Sequence, residues 1–98
     1  MENKITIAIY KFSFQAFCIE EYPIINETEK SYMIEARNNY NRKHRIPKEE
    51  VGKVIYHGTD NFPYVRVFLF NVTEVEARER IAEWFENKAN GIRAGEWR

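Results

Sequence analysis

The sequence predicts a small α+β domain: an antiparallel, bent β-sheet or SH3-like partial barrel of about five strands with one C-terminal amphipathic helix. Three patterns predict it. Apolar residues between Lys4 and Phe70 recur with a period of two, the spacing of half-buried strands. Tyr64–Phe70 is apolar on both faces apart from Arg66, as expected of a strand covered by a helix. Immediately after it, Ala77, Ile81, Trp84, Phe85 and Ala89 recur at helical spacing.

Taken in order, Ile5, Ile7 and Ile9 alternate on odd positions, and Tyr10, Phe12, Phe14, Ala16 and Cys18 then alternate on even ones. A slip of one residue in a two-residue period predicts a long bent strand, or two strands with a kink near Ile9–Tyr10. Cys18, on the apolar even-numbered face, reads as a small buried hydrophobe. Pro23 offers no amide hydrogen to a ladder and predicts an edge or a strand end. After the polar turn Asn26–Glu29, Tyr32, Ile34 and Ala36 define a further strand. The Asn-rich stretch Arg37–Asn41 reads as a hairpin loop, and Arg42–Ile46 as its return strand. Pro47 opens a short turn that leads into Val51–Tyr56, and Gly58–Asn61 is a loop.

The helix is expected over about 73–90. Thr73 with Glu76 forms a capping box, Glu74–Arg78 and Glu76–Arg80 are favourable pairs one turn apart, and Asn90-Gly91 supplies the stop. The tail, 91–98, holds Trp97, which either folds onto the core or is exposed as a contact for a second subunit. Residues 1–98 thus read as one domain. Seven Phe, six Tyr and two Trp provide the material of its core.

Composition also bounds function. The formal net charge is zero, which argues against an overall electrostatic grip on nucleic acid. Residues 37–58 nevertheless carry six basic and two acidic side chains, so charge is concentrated in the middle of the chain. One cysteine permits no intrachain disulfide, and no leader-like or membrane-spanning run is visible; a cytoplasmic protein with no membrane association is expected. His44 and His57 are not spaced as metal ligands, and no phosphate loop or nucleophile-elbow motif occurs. Glu20-Glu21 and Glu49-Glu50 are adjacent pairs, which on a strand point to opposite faces and do not converge on a substrate. These readings favour a protein that is not an enzyme and uses no cofactor or metal.

The segment Arg37–Lys48 is the first place to look for binding. Five cations, one histidine, one tyrosine and three asparagines fall within it. Guanidinium forks and amides suit phosphate and base edges, and a tyrosine offers a stacking face. Arg37, Tyr40, Arg42, Lys43, His44, Arg45 and Lys48 are therefore candidate ligand- or partner-binding residues. Alternation about Ile46 makes Lys43 and Arg45 the more exposed pair. The same charges also suit a solubilising edge hairpin paired with Glu20, Glu21, Glu27 or Glu29. Arg66 either pairs with a carboxylate, snorkels to the rim, or faces a pocket.

At Glu27–Ile34 and Arg45–Val54 the chain resembles small uncharacterised proteins of phages and mobile elements. In these, a Glu-x-Glu-Lys-Ser-Tyr strand and a Lys-x-Glu-Ile/Val-Gly-Lys-Val segment precede an apolar strand and a C-terminal helix. The resemblance implies a compact barrel-like sheet with a helix, a bacterial-host setting and no transferable catalytic residue. Such proteins commonly act by binding. The leading expectation is thus a non-catalytic binding protein, a phage-type accessory or host-defence antagonist that sequesters a host protein or a small anionic, nucleotide-type ligand, and is a homo-oligomer. Two alternatives stay open: a nucleic-acid-binding regulator using Arg37–Lys48, which zero net charge disfavours, and a structural oligomerisation protein with no ligand.

Overall fold

A computed structural model describes residues 3–35, 43–58 and 61–95. The expected hairpin loop with Arg37, Tyr40 and Arg42, and the tail residue Trp97, lie outside the described residues.

Six strands form one antiparallel sheet: β1 (Lys4–Lys11), β2 (Ala16–Glu27), β3 (Ser31–Glu35), β4 (Lys43–Pro47), β5 (Ile55–His57) and β6 (Tyr64–Phe70). Their order is β4-β3-β2-β1-β6-β5, followed in sequence by the helix α1 (Glu74–Arg93). The α+β class is as expected, with six strands where about five were read. A single 3₁₀ turn, Lys48–Glu50, carries the chain from β4 to the far side of β6, where Val51 bridges Phe68. The Gly52 amide donates to the Phe68 carbonyl there at 2.7 Å.

The slip in the apolar pattern has a different origin from the expected kink. β1 continues unbroken to Lys11 and pairs residue for residue with β2 and β6. Both of its faces are covered, so the apolar set need not stay on one side. Ala8 and Tyr10 face the helix, while Ile5 and Ile7 face a second core. Phe12–Gln15 form the turn between β1 and β2, with Gln15 at a positive φ of 48°. Cys18 lies opposite Ile9 on the face away from the helix, and it is half-buried rather than a core residue.

Pro23 is likewise neither at an edge nor at a strand end. It is the last β2 residue in register with β1, opposite Lys4, and β2 runs on to Glu27 beside β3. A register shift between Ile24 and Asn26 follows. Pro23 thus marks where the inner strand changes partners, a place where a missing ladder donor is tolerated.

That change of partner curls the sheet into a half-barrel. In a flat sheet β3 and β6 would stand three strand spacings apart, about 14 Å. Instead the rings of Tyr32 and Phe70 stack with centroids 5.2 Å apart. Ile5, Ile34, Ile46 and Phe68, from four strands, close the core inside the curve.

On the convex side, α1 packs Ala77 and Ile81 against Ala8, Val65, Val67 and Leu69. Edge-to-face contacts of Tyr10 with Phe12 and Phe85, and of Trp84 with Phe85, extend this core, and Tyr56 stacks on Trp84. Much of the aromatic excess is spent here, where ring pairs add to the energy of plain area burial. The Thr73 side chain accepts from the Glu76 amide at 3.2 Å, and Arg78 pairs with Glu74 at 2.6 Å. The helix does not stop at Asn90-Gly91. Gly91 stays helical, the cap is Ala94, and Gly95 takes the left-handed conformation at φ 82°. Among the described residues, no helix is long and apolar enough to cross a membrane.

Asn71 links the two layers. At φ 53° it occupies a conformation that asparagine tolerates better than most residues. Its side-chain oxygen accepts from the Lys4 amide at 2.8 Å, and its amide nitrogen donates to the Asn3 side chain at 2.9 Å. The chain can therefore turn from β6 into α1 while holding the start of β1.

Candidate functional site

The helix covers β1 and β6 on one face of the sheet, and the inside of the curve is left partly open. The register sets what this open face displays. Glu20, Ile7 and Phe68 lie in one row across β2, β1 and β6, and Cys18, Ile9 and Arg66 lie in the next. A cavity of about 490 Å³ sits over these rows. Ile7, Ile9 and Phe68 form its apolar floor, and Glu20, Tyr22, His44, Glu50 and Arg66 bring polar groups to it.

Arg66 is the charged centre of the floor. Its guanidinium lies over the Phe68 ring, 4.3 Å from the centroid, and is half-buried. No carboxylate of the described residues lies within ion-pairing reach of it. Of the three expected alternatives, the side chain takes the one facing a pocket. Its field is felt beyond the cavity. His57 stacks on Tyr64 with ring centroids 4.6 Å apart, and its buried Nε2 has no hydrogen-bond partner. Burial, and then the Arg66 charge, push its pKa below the ordinary 6.5, against a smaller opposite pull from Glu50.

Glu20 faces Arg66 from the opposite side. One strand, β1, lies between theirs, so their backbones are two strand spacings apart, roughly 10 Å on an uncurved sheet. The Tyr22 hydroxyl donates to the Glu20 carboxylate and holds it in position. Its neighbour Glu21 points to the convex side, where it pairs with Lys4 at 3.0 Å. Adjacent carboxylates do therefore diverge, and only Glu20 reaches the cavity.

The residues expected from the basic segment are only partly brought together. Lys43, His44 and Arg45 are exposed on β4, and His44 and Arg45 border the cavity. Register places the Lys43 and Arg45 side chains on the face opposite Ile46. His44 is as exposed as they are, because alternation in an edge strand does not by itself bury the inward side. Lys48 is engaged elsewhere: it pairs with Glu27 at 2.6 Å and sits over Tyr32, 5.0 Å from the ring centroid. The hydrogen bond it donates to the Glu27 carboxylate raises its pKa. Lys48 thus braces the closed end of the half-barrel.

Ile7, Ile9, Glu20, Tyr22 and Glu50 were not singled out from the sequence as a site. Their convergence depends on the curl, and only Arg66 carried a signal, as the one cation in an apolar strand. A second concavity, about 560 Å³, lies at the tip of the sheet. Phe14 and Phe62 stack there with centroids 5.8 Å apart, and Lys11 is its one charged lining residue. Among the described residues, no group of three His, Cys, Asp or Glu side chains is placed to hold a metal ion. No known family model matches the chain, and no curated protein or solved structure matches it either.

Proposed function

We propose that this is a non-catalytic binding protein that holds its ligand in the open, concave face of the half-barrel. The observation that carries the reading is Arg66, a half-buried guanidinium with no ion-pair partner among the described residues, on an apolar floor inside a cavity of about 490 Å³. A cation withdrawn from water without a counter-charge is costly, and a site that tolerates one is suited to a ligand that supplies the missing charge. The volume falls within the range of small-molecule sites, roughly 300–1,000 Å³. Among the described residues, no Ser, Thr, Cys or Lys lines this cavity, so a hydroxyl, thiol or amine nucleophile of those types is not part of the described lining.

The resemblance to phage and mobile-element proteins supports an accessory role in a bacterial cytoplasm, the sequestering of a host factor or a small charged ligand. Protein-observed NMR with a library of small charged fragments tests the binding reading. Shifts should cluster at Ile7, Ile9, Glu20, Arg66 and Phe68. Absence of any response, or a cluster confined to Phe14 and Phe62 at the tip, overturns it.

A further inference from the structure

The lining of the cavity carries both signs of charge, Arg45 and Arg66 with Glu20 and Glu50, and that mixture narrows the ligand class. Arg66 on β6 and Glu20 on β2 stand on either side of an isoleucine floor, Ile7 and Ile9. Neither charge is cancelled by an ion pair among the described residues. Arg66 is steadied by the ring beneath it, and Glu20 by the Tyr22 hydroxyl. Glu50 adds a second carboxylate to the lining.

A polyanion is poorly matched to this lining, because Glu20 and Glu50 would face it along with the cations Arg45 and Arg66. A simple cation is poorly matched for the reverse reason, since it would have to lie near Arg66. A molecule with one anionic and one cationic end fits both sides at once. The backbone separation of the two anchoring strands is roughly 10 Å, and the side chains reach inward from it. Extended peptide spans at most about 3.3–3.6 Å per residue, so two or three residues bridge what remains.

We propose that the cavity binds a short zwitterionic peptide, its carboxylate on Arg66, its ammonium on the Glu20 side and an apolar side chain on Ile7 and Ile9. This inference rests on the reading of the concave face as a binding site. The ligand contributes a carboxylate that Arg66 does not find among the described residues, through the charge-assisted, two-pronged hydrogen bond that guanidinium favours.

Isothermal titration of the full chain with four probes tests the class: the dipeptide Ala-Leu, its N-acetyl form, its C-terminal amide, and adenosine monophosphate. Ala-Leu should bind, and blocking its carboxylate or its ammonium should weaken binding at least about tenfold, the loss expected for one charged hydrogen bond. Arg66→Met keeps a long apolar side chain over Phe68 and should abolish the response, while Glu20→Gln should weaken Ala-Leu and leave the N-acetyl form unchanged. A melting temperature for each variant separates lost binding from lost folding; if Arg66→Met does not fold, the Glu20→Gln comparison decides alone. Binding of adenosine monophosphate without Ala-Leu overturns the ligand class but keeps the binding face. Equal binding of all three peptide forms, or no binding of any probe, also overturns the class, and the fragment mapping above then decides separately whether the face binds at all.

Discussion

The two faces of this sheet are made from the same strands but do different work. The convex face is covered by α1, and its residues Ala8, Val65, Val67, Leu69, Ala77 and Ile81 are essentially inaccessible to water. The concave face is closed only at the end where β3 and β4 curl toward β6. Beyond that end, Ile7, Ile9 and Arg66 are half-buried and line a cavity. The helix side holds the larger core, and the concave side, closed at one end around Ile5, Ile34, Ile46 and Phe68, retains incompletely covered apolar and charged groups beyond it. Such groups mark binding surfaces when they lie in a concavity.

The sharpest way to break this contrast is to remove an apolar side chain from the sealed face. Leu69 is 3% exposed. Leu69→Ala should cost about 2–5 kcal/mol, which lowers the melting temperature by at least about 10 °C in a domain of this size. Circular dichroism melts measure it. The helix cap comes next. Thr73→Ala removes the acceptor for the Glu76 amide and should cost about 1 kcal/mol in denaturant titration, with the cavity unchanged.

On the open side, His57 gives a pH signature. Its folded-state pKa lies below the ordinary 6.5, so the unfolded chain takes up the proton more readily. Its contribution to stability is present in full above pH 6.5 and is lost as pH falls through the folded-state value. His57→Phe keeps a ring against Tyr64 and removes the titration. Stability measured across this acid range should fall less steeply for the variant than for the wild type. The smallest effect is expected at Thr6, which is fully buried beside the helix with no hydrogen-bond partner for its hydroxyl. Thr6→Val should leave stability unchanged or raise it by up to about 1 kcal/mol, because the apolar isostere leaves no unpaired group behind.

The contrast between faces also explains which parts of the molecule were legible in the sequence. The helix start was legible because Thr73, Glu76 and the apolar stripe act locally. Its end was not, since Gly91 can continue a helix and Gly95 offers an equally good stop. The apolar strand β6 with its lone arginine could be read, and so could the face on which a helix must lie. β1 was misread because a strand covered on both sides mimics a change of face. The site itself was the least legible part. Glu20 and Arg66 are far apart in sequence and share one face only because β1 pairs with both β2 and β6. The compact basic segment Arg37–Lys48 drew attention instead, yet Lys48 turned out to brace the closed end through Glu27 and Tyr32.

Division of labour between the faces is tested most directly by one variant read in two ways. Ile9→Ser places a small polar group on the cavity floor without touching the sealed core. Its melting midpoint should correspond to a loss of only about 1 kcal/mol, since the side chain is half-buried, while the ligand response of the concave face should be lost. A variant that unfolds as readily as Leu69→Ala, or that keeps wild-type binding, would contradict the assignment of the larger core to one face and recognition to the other.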